Sequence, residues 1–283
     1  MTKVLACIDG SGYGASVCDH AAWAATGLGA EIELLHVLDR APDAIPADLS
    51  GSIGLGAHDH LLEDLASLDE RRSRLRMDRG RVMLAEAEKR IRELGVTDVS
   101  SRLRHGRLVD AVVDLEDETR LVVLGKRGEH ADFTRLHLGG SVEQVVRASS
   151  KPVLVASRAF KPIKRLAIAF DGGPSSRRAV EFLCSDPAFA RYECDIVMAG
   201  PERAEREAHL DWARRELATL GGAHNIVQRP GAAENVIADY VRDEAIDLLV
   251  MGAYGHSPIR QFVVGSTTAA VMRTCPIPVL LFR

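Results

Sequence analysis

The chain has no apolar run long enough to cross a bilayer, so no membrane-spanning helix is expected among its 283 residues. It has no basic excess either. Its 36 Lys and Arg stand against 40 Asp and Glu, a formal charge of -4, which argues against nucleic acid as the main partner. Cysteine is sparse: Cys7, Cys18, Cys184, Cys194 and Cys275 are odd in number and contain no C-x-x-C pair. Reduced, buried thiols in a cytoplasmic protein are the expectation. The N-terminal Met-Thr-Lys-Val-Leu-Ala-Cys-Ile-Asp runs straight into a strand pattern and shows no secretory h-region, so no leader is expected. There is no G-x-x-x-x-G-K-S/T and no G-x-S-x-G, which removes P-loop ATPases and nucleophile-elbow hydrolases. His58 and His60 have no third ligand beside them and read as a solvated pair, so no metal site is expected.

What is present is the same pattern twice. Lys3-Val-Leu-Ala-Cys-Ile-Asp9-Gly10 resembles Arg165-Leu-Ala-Ile-Ala-Phe-Asp171-Gly172, at an offset of 162. Leu121-Val-Val-Leu-Gly125 resembles Leu248-Leu-Val-Met-Gly252 at an offset of 127, and Pro152-Val-Leu-Val resembles Pro278-Val-Leu-Leu at 126. Three landmarks in one order indicate two homologous domains, 1–157 and 158–283. The first carries 35 additional residues, placed within about 40–80. Strands are expected at 3–8, 31–38, 97–103, 120–124 and 152–156, and again at 165–170, 194–199, 224–228, 247–251 and 278–282. Helices are expected at 13–27, 58–94, 107–117 and 141–149, then at 175–184, 203–220, 232–244 and 266–274. The long helix has apolar residues at Leu61, Leu65, Leu68, Leu75, Val82, Ala87, Ile91 and Leu94. It is expected to cover core or join a dimer. The central strands are continuous apolar runs, the mark of a parallel sheet buried on both faces.

The second copy holds the candidate site. Leu248-Leu-Val-Met251 runs into Gly252-Ala-Tyr-Gly255, and nine residues later Gly265-Ser266-Thr267 opens the last helix. Glycines let backbone N–H groups approach a ligand closely, and a helix N-terminus adds free N–H groups and a positive dipole end. Such an arrangement binds anions, above all phosphates. Asp171, ending the first strand of this copy, could accept from ribose hydroxyls or an adenine amine. Ala169 and Ala199, small residues at strand ends, leave room for a flat base. Ligands of open α/β sheets sit at carboxyl strand ends where the strand order reverses, so Asp171 and Gly252 share a crevice if their strands are neighbours.

Asp171-Gly172, Asp247-Leu-Leu-Val-Met-Gly252-Ala-Tyr-Gly255, Gly265-Ser266 and Cys275-Pro-Ile-Pro-Val-Leu-Leu resemble the universal stress protein family. The resemblance covers nearly all of the second copy and, more loosely, the first. It implies an α/β fold: two tandem open five-stranded parallel sheets flanked by helices, doubly wound, of the adenine nucleotide alpha-hydrolase-like type. It implies that final strands pair, so Pro152-Val153-Leu154 and Pro278-Val279-Leu280 could meet within one chain. The family motif G-x2-G-x9-G-S/T marks ATP-binding members, and the second copy matches it throughout. By that resemblance the nucleotide contacts fall on Ala169, Asp171, Ala199, Met251, Gly252, Gly255, Gly265, Ser266 and Thr267.

The implied function is ATP binding in the second domain by a nucleotide-dependent stress-response sensor or partner-binding module. Mg²⁺, if carried, would be held mainly by the phosphates, with Asp171 the nearest candidate carboxylate. No catalytic residue is assigned, because no catalytic lysine or base for water attack is evident, and hydrolysis should be slow or absent. The alternatives are a slow ATPase or nucleotidyl-transfer enzyme, and a ligand-free protein-interaction scaffold. Expected partners are an adenine nucleotide and another protein, with neither nucleic acid nor membrane; a homodimer is left open. The first copy keeps Asp9, Gly125 and Gly128, but Gly140 aligns with Ser266, so its motif is degenerate. Lys126, Arg127 and His130 add positive charge that could still hold an anion there. Gly10-Ser-Gly12-Tyr-Gly-Ala15, with Asp39 as a ribose acid, fits a dinucleotide fingerprint only weakly and keeps a nicotinamide-cofactor enzyme as a distant rival.

Overall fold

A computed structural model describes residues 2–38, 55–128, 140–220, 224–253 and 266–283, the side chains of 55–63 and 266 apart. Strands and helices alternate: β1 Lys3–Cys7, α1 Gly14–Leu28, β2 Glu31–Leu38, α2 Leu55–Glu93, β3 Val99–His105, α3 Leu108–Asp114, β4 Thr119–Gly125, α4 Gly140–Ala148 and β5 Val153–Ala156. The second series is β6 Arg165–Ala169, α5 Pro174–Ser185, β7 Glu193–Ala199, α6 Ala204–Leu217, β8 Ile226–Arg229, α7 Ala233–Asp243, β9 Leu248–Gly252, α8 Ser266–Thr274 and β10 Val279–Phe282.

The two expected sheets are one. Ten strands lie in the order β3-β2-β1-β4-β5-β10-β9-β6-β7-β8. Each five-strand half is parallel, and the halves join where β5 and β10 pair antiparallel, with Val155 opposite Val279, Leu154 opposite Leu280 and Val153 opposite Leu281. The final strands thus meet within the chain. A parallel strand left at an edge would expose a row of unpaired N–H and C=O groups; the antiparallel seam satisfies both edges at once.

The 162-residue offset holds at the level of side chains. Leu5 pairs with Glu33 as Ala167 pairs with Asp195. Glu33 is ion-paired to Lys3 at 3.4 Å, and Asp195, its counterpart, to Arg165 at 3.1 Å. Both carboxylates are buried. Each has a further partner: Arg102 at 2.5 Å for Glu33, and the Tyr240 hydroxyl at 2.9 Å for Asp195. Buried charges need such pairing to offset desolvation.

One core lies on each face of the sheet, and each runs through both halves. The first gathers α1, α2, α5 and α6; the second gathers α3, α4, α7 and α8. Val4 and Ala6 point into the first while Leu5 and Cys7 point into the second, which is why the strands read as unbroken apolar runs. Side-chain bonds reinforce the seam: Trp23 Nε1 donates to Tyr192 Oη at 2.9 Å, and Arg120 pairs with Asp186 at 2.5 Å.

The apolar positions assigned to α2 do not form one stripe. Leu84, Ala87 and Ile91 pack on the core, whereas Leu68, Leu75, Val82 and Leu94 are exposed. The Leu61 side chain lies outside the described residues. Seven-residue spacing keeps Leu68, Leu75 and Val82 on one face, but that face is not the one turned to the sheet.

All five cysteines are free, and only Cys184 is not fully buried. Burial pushes the Cys7 and Cys194 thiols up to about 12 and the Cys18 thiol up to about 11. An unfolded thiol releases its proton near pH 8.5, so above that the native state binds more protons than the unfolded state and stability falls as pH rises. Urea midpoints should therefore be flat from about pH 7 to 8 and decline steadily from pH 9 to 11, with a shallower decline in Cys194→Ala. An equal decline in that variant would assign the alkaline loss to other groups.

Candidate functional site

The order of the second half reverses at β6, which has β9 on one side and β7 on the other. Strands β6 and β9 are therefore neighbours, and Ala169 lies level with Met251 across one pairing and with Val197 across the other. The carboxyl ends of β6, β7 and β9 open together, as a ligand crevice in such a sheet requires.

At the end of β6, Asp171 Oδ1 accepts from the Gly173 N–H at 2.8 Å and from Ser176 Oγ at 2.6 Å. It thereby shapes the turn into α5, which opens on Pro174. Gly172 has φ +80° and carries the His209 imidazole on its α-carbon, where a Cβ would overlap the ring. Arg177 knits this corner: Nε donates to the Gly172 carbonyl at 3.0 Å, Nη2 lies 2.9 Å from His209 Nδ1, and the guanidinium sits 4.3 Å from the Trp212 ring centroid. Trp212 in turn stacks on Phe170 at 6.0 Å.

At the end of β7, Gly200 has φ +113° and Arg206 lies directly over it; a Cβ there would overlap the guanidinium. Arg206 Nη1 donates to the Ala199 carbonyl at 2.8 Å and reaches the Pro201 carbonyl at 3.3 Å. At the end of β9, Gly252 packs against α5, with Ser175 Cβ 3.0 Å from where its Cβ would stand. The next N–H, that of Ala253, donates to the Phe282 carbonyl at 2.7 Å and belongs to the sheet. Thr268 Oγ1 lies 3.2 Å from the Gly252 carbonyl and 3.3 Å from that of Ala253, and so ties the first turn of α8 to the end of β9.

The universal stress protein family model matches residues 1–157 and 195–283. The chain belongs to this family. Universal stress protein Slr1230 of Synechocystis sp. is 38% identical over 287 residues, covering the whole of both chains. Universal stress protein Rv2005c of Mycobacterium tuberculosis is 25% identical over 236 residues, 73% of this chain and 77% of its own. The crystal structure of a universal stress protein from Archaeoglobus fulgidus has the same fold, with a TM-score of 0.70 at 19% identity over 99% of this chain and 98% of its own. No helix among the described residues of this universal stress protein is long and apolar enough to cross a membrane.

Within the family frame, Ala169, Asp171, Met251 and Gly252 stand at the adjoining ends of β6 and β9, and Ala199 stands one strand further, at the end of β7. Met251 is buried among the core residues on the α7 and α8 side, so only its backbone faces the crevice end of the strand. Thr267 is half-buried in the first turn of α8, and Ser266 is the first residue of that helix. Gly255 and Gly265 lie outside the described residues. Arg177, Arg206, His209, Trp212 and Thr268 were not read from the sequence. His209 and Trp212 are one helical turn apart beside the Leu210, Ala213 and Leu217 stripe, a signal that two polar-edged rings flank the core face of α6.

The first half is built differently at the equivalent place. Tyr13 packs on Gly125, where its Cβ would lie 2.7 Å from a Cβ at that glycine. Asp9 Oδ1 accepts from the Ser11 amide at 3.1 Å and from Ser11 Oγ at 2.5 Å, and Oδ2 faces Gly128. Lys126 does not contribute positive charge to an anion site in its own half. Its Nζ donates to the Cys275 carbonyl at 2.6 Å, at the end of α8, where a cation complements the helix dipole. Burial lowers its pKa. Gly140 opens α4 as Ser266 opens α8, so the first half has no hydroxyl at that position. His130 and Asp39 lie outside the described residues.

Proposed function

We propose that the second domain, 158–283, binds an adenine nucleotide, ATP, and that nucleotide occupancy governs how the protein engages a protein partner during stress in the cytoplasm. The domain 1–157 serves in this reading as its structural mate. The observation that carries the proposal is the convergence of Asp171 with Gly252, first glycine of the G-x2-G-x9-G-S motif, at the point where the strand order reverses. The chemistry around that point suits the ligand. Arg177 supplies donors and positive charge for an anion, and Asp171 supplies an acceptor for a sugar or base. When bound, ATP would bring its own Mg²⁺ on the phosphates.

One contact must change for a base to use the end of β7. The Ala199 carbonyl is already taken by Arg206, so binding there exchanges one hydrogen bond for another. Calorimetry of the full chain with ATP should show one site. Arg206→Ala should tighten ATP about fivefold, the worth of one net hydrogen bond no longer displaced. Weaker binding in that variant would mean that Arg206 holds the nucleotide instead of competing with it. Absence of heat with ATP, together with absence of ATP or AMP in the supernatant of denatured protein, would remove the nucleotide reading altogether.

A further inference from the structure

Helix α2 spans 39 residues, about 58 Å at 1.5 Å per residue. Among the described side chains, only those of its C-terminal half are seated. Leu84, Ala87 and Ile91 are buried, and Gly80 lets the helix approach β2 and β3 closely: a Cβ there would come 2.8 Å from His36 Cδ2 and 2.9 Å from Leu103 Cδ1. From Asp64 to Arg76 every side chain except half-buried Leu65 is exposed. Yet this arm carries a ridge of large apolar residues. Leu68, Leu75 and Val82 are 49%, 69% and 57% exposed and seven residues apart, with Leu65 widening the ridge by one turn. Val82 lies two residues from Gly80 and two from Leu84, so at 100° per residue the ridge faces away from the sheet. Isolated apolar side chains on a surface need no explanation, but a heptad row along an exposed stretch of helix does.

The charges beside the ridge identify its occupant. Residues 64–70 contain Asp64, Asp69 and Glu70 and no base, while residues 71–81 contain six arginines and one acid, Asp78. We propose that this ridge docks antiparallel on the same ridge of a second copy of the chain. In the register that sets Leu65 against Val82 of the second copy, Arg72 lies against Leu75 and Leu68 against Arg79. The arginine stems cover leucine while their heads reach water. The flanks then match in sign: Asp69 meets Arg76 of the second copy, Arg71 meets Asp78, and two-fold symmetry makes each contact twice. Asp69 and Asp78 already pair within the helix, with Arg72 at 4.0 Å and Arg81 at 3.2 Å, but each carboxylate has a second oxygen to offer. The parallel alternative sets Arg72 on Arg72, Arg71 beside Arg76 and Asp64 beside Asp69, like charges throughout. Because the ridge faces away from the sheet, the two globular bodies lie on opposite sides of the helix pair.

Sedimentation equilibrium of the full chain tests this. The wild type should be a dimer at tens of micromolar. Leu68→Glu/Leu75→Glu should be monomeric, with unchanged thermal melting of the core because both sites are exposed. Asp69→Arg should weaken association about tenfold, and Asp69→Arg/Arg76→Asp should restore it, since the swap reverses both members of each contact. A wild type that stays monomeric at 100 μM would overturn the proposal. So would a dimer that survives the double Glu variant. Failure of the charge swap to rescue Asp69→Arg would refute the antiparallel register. None of these outcomes depends on nucleotide, so they stand apart from the reading of the second domain.

Discussion

Leu154→Asp should cost about 4 kcal/mol or more and lower the melting temperature by about 10 °C or more. Leu154 is fully buried and faces Leu280 across the only antiparallel strand pairing among the described residues. A carboxylate there would stand among Leu121, Phe182, Phe189 and Leu280, and Arg191, the cation that lines the same pocket, already sits 4.9 Å from the Tyr192 ring centroid. The group must either ionise in an apolar seam, protonate, or part the strands, and each course destabilises the fold. Both cores run through this seam, so parting it uncovers apolar surface on both faces of the sheet. Leu68→Asp is the matched control, the same change on an exposed site, and should shift melting little. Scanning calorimetry decides the matter. A Leu154→Asp transition within a degree or two of the control would show that the seam contributes little and that each half stands alone.

Much of this architecture was legible because the repeat repeats its chemistry. Lys3 and Arg165, and Glu33 and Asp195, lie 162 residues apart and form equivalent buried pairs. Continuous apolar strands gave the parallel sheet, the doubled Pro-Val-Leu marked the two final strands, and the family resemblance pointed to their pairing. What failed to show was which face of a helix turns inward. The heptad row on α2 reads as a core stripe from hydrophobicity alone, but the seated face is marked by Gly80, a residue that hydropathy passes over and only close approach explains. Long-range polar contacts were equally hidden. Nothing near Lys126 in sequence indicates that it reaches Cys275, 149 positions away, because that contact exists only once the halves are joined. At the candidate site the strand-end residues were readable from spacing. The covering residues Arg177, Arg206 and His209 were not, since α6 brings two of them from a separate segment.

Gly255→Asp should abolish ATP binding, by at least about 100-fold. The position is the second glycine of the G-x2-G-x9-G-S motif, where a phosphate would need backbone N–H groups and no competing anion. A unit negative charge about 4 Å from phosphate is worth several kcal/mol of repulsion at an effective dielectric near 20, and each 1.4 kcal/mol is a factor of ten in affinity. The informative control is the same change at Gly128 in the first half. There the new Cβ would lie 3.4 Å from Asp9 Oδ2, setting one carboxylate beside another. With Tyr13 packed on Gly125 and Lys126 drawn to α8, the first half offers an anion little, so Gly128→Asp should leave both affinity and a stoichiometry of one unchanged. Titration calorimetry on both variants separates the outcomes. Intact affinity in Gly255→Asp would take the phosphate away from the second-half motif, and loss of a binding step in Gly128→Asp would place a ligand in the first half after all.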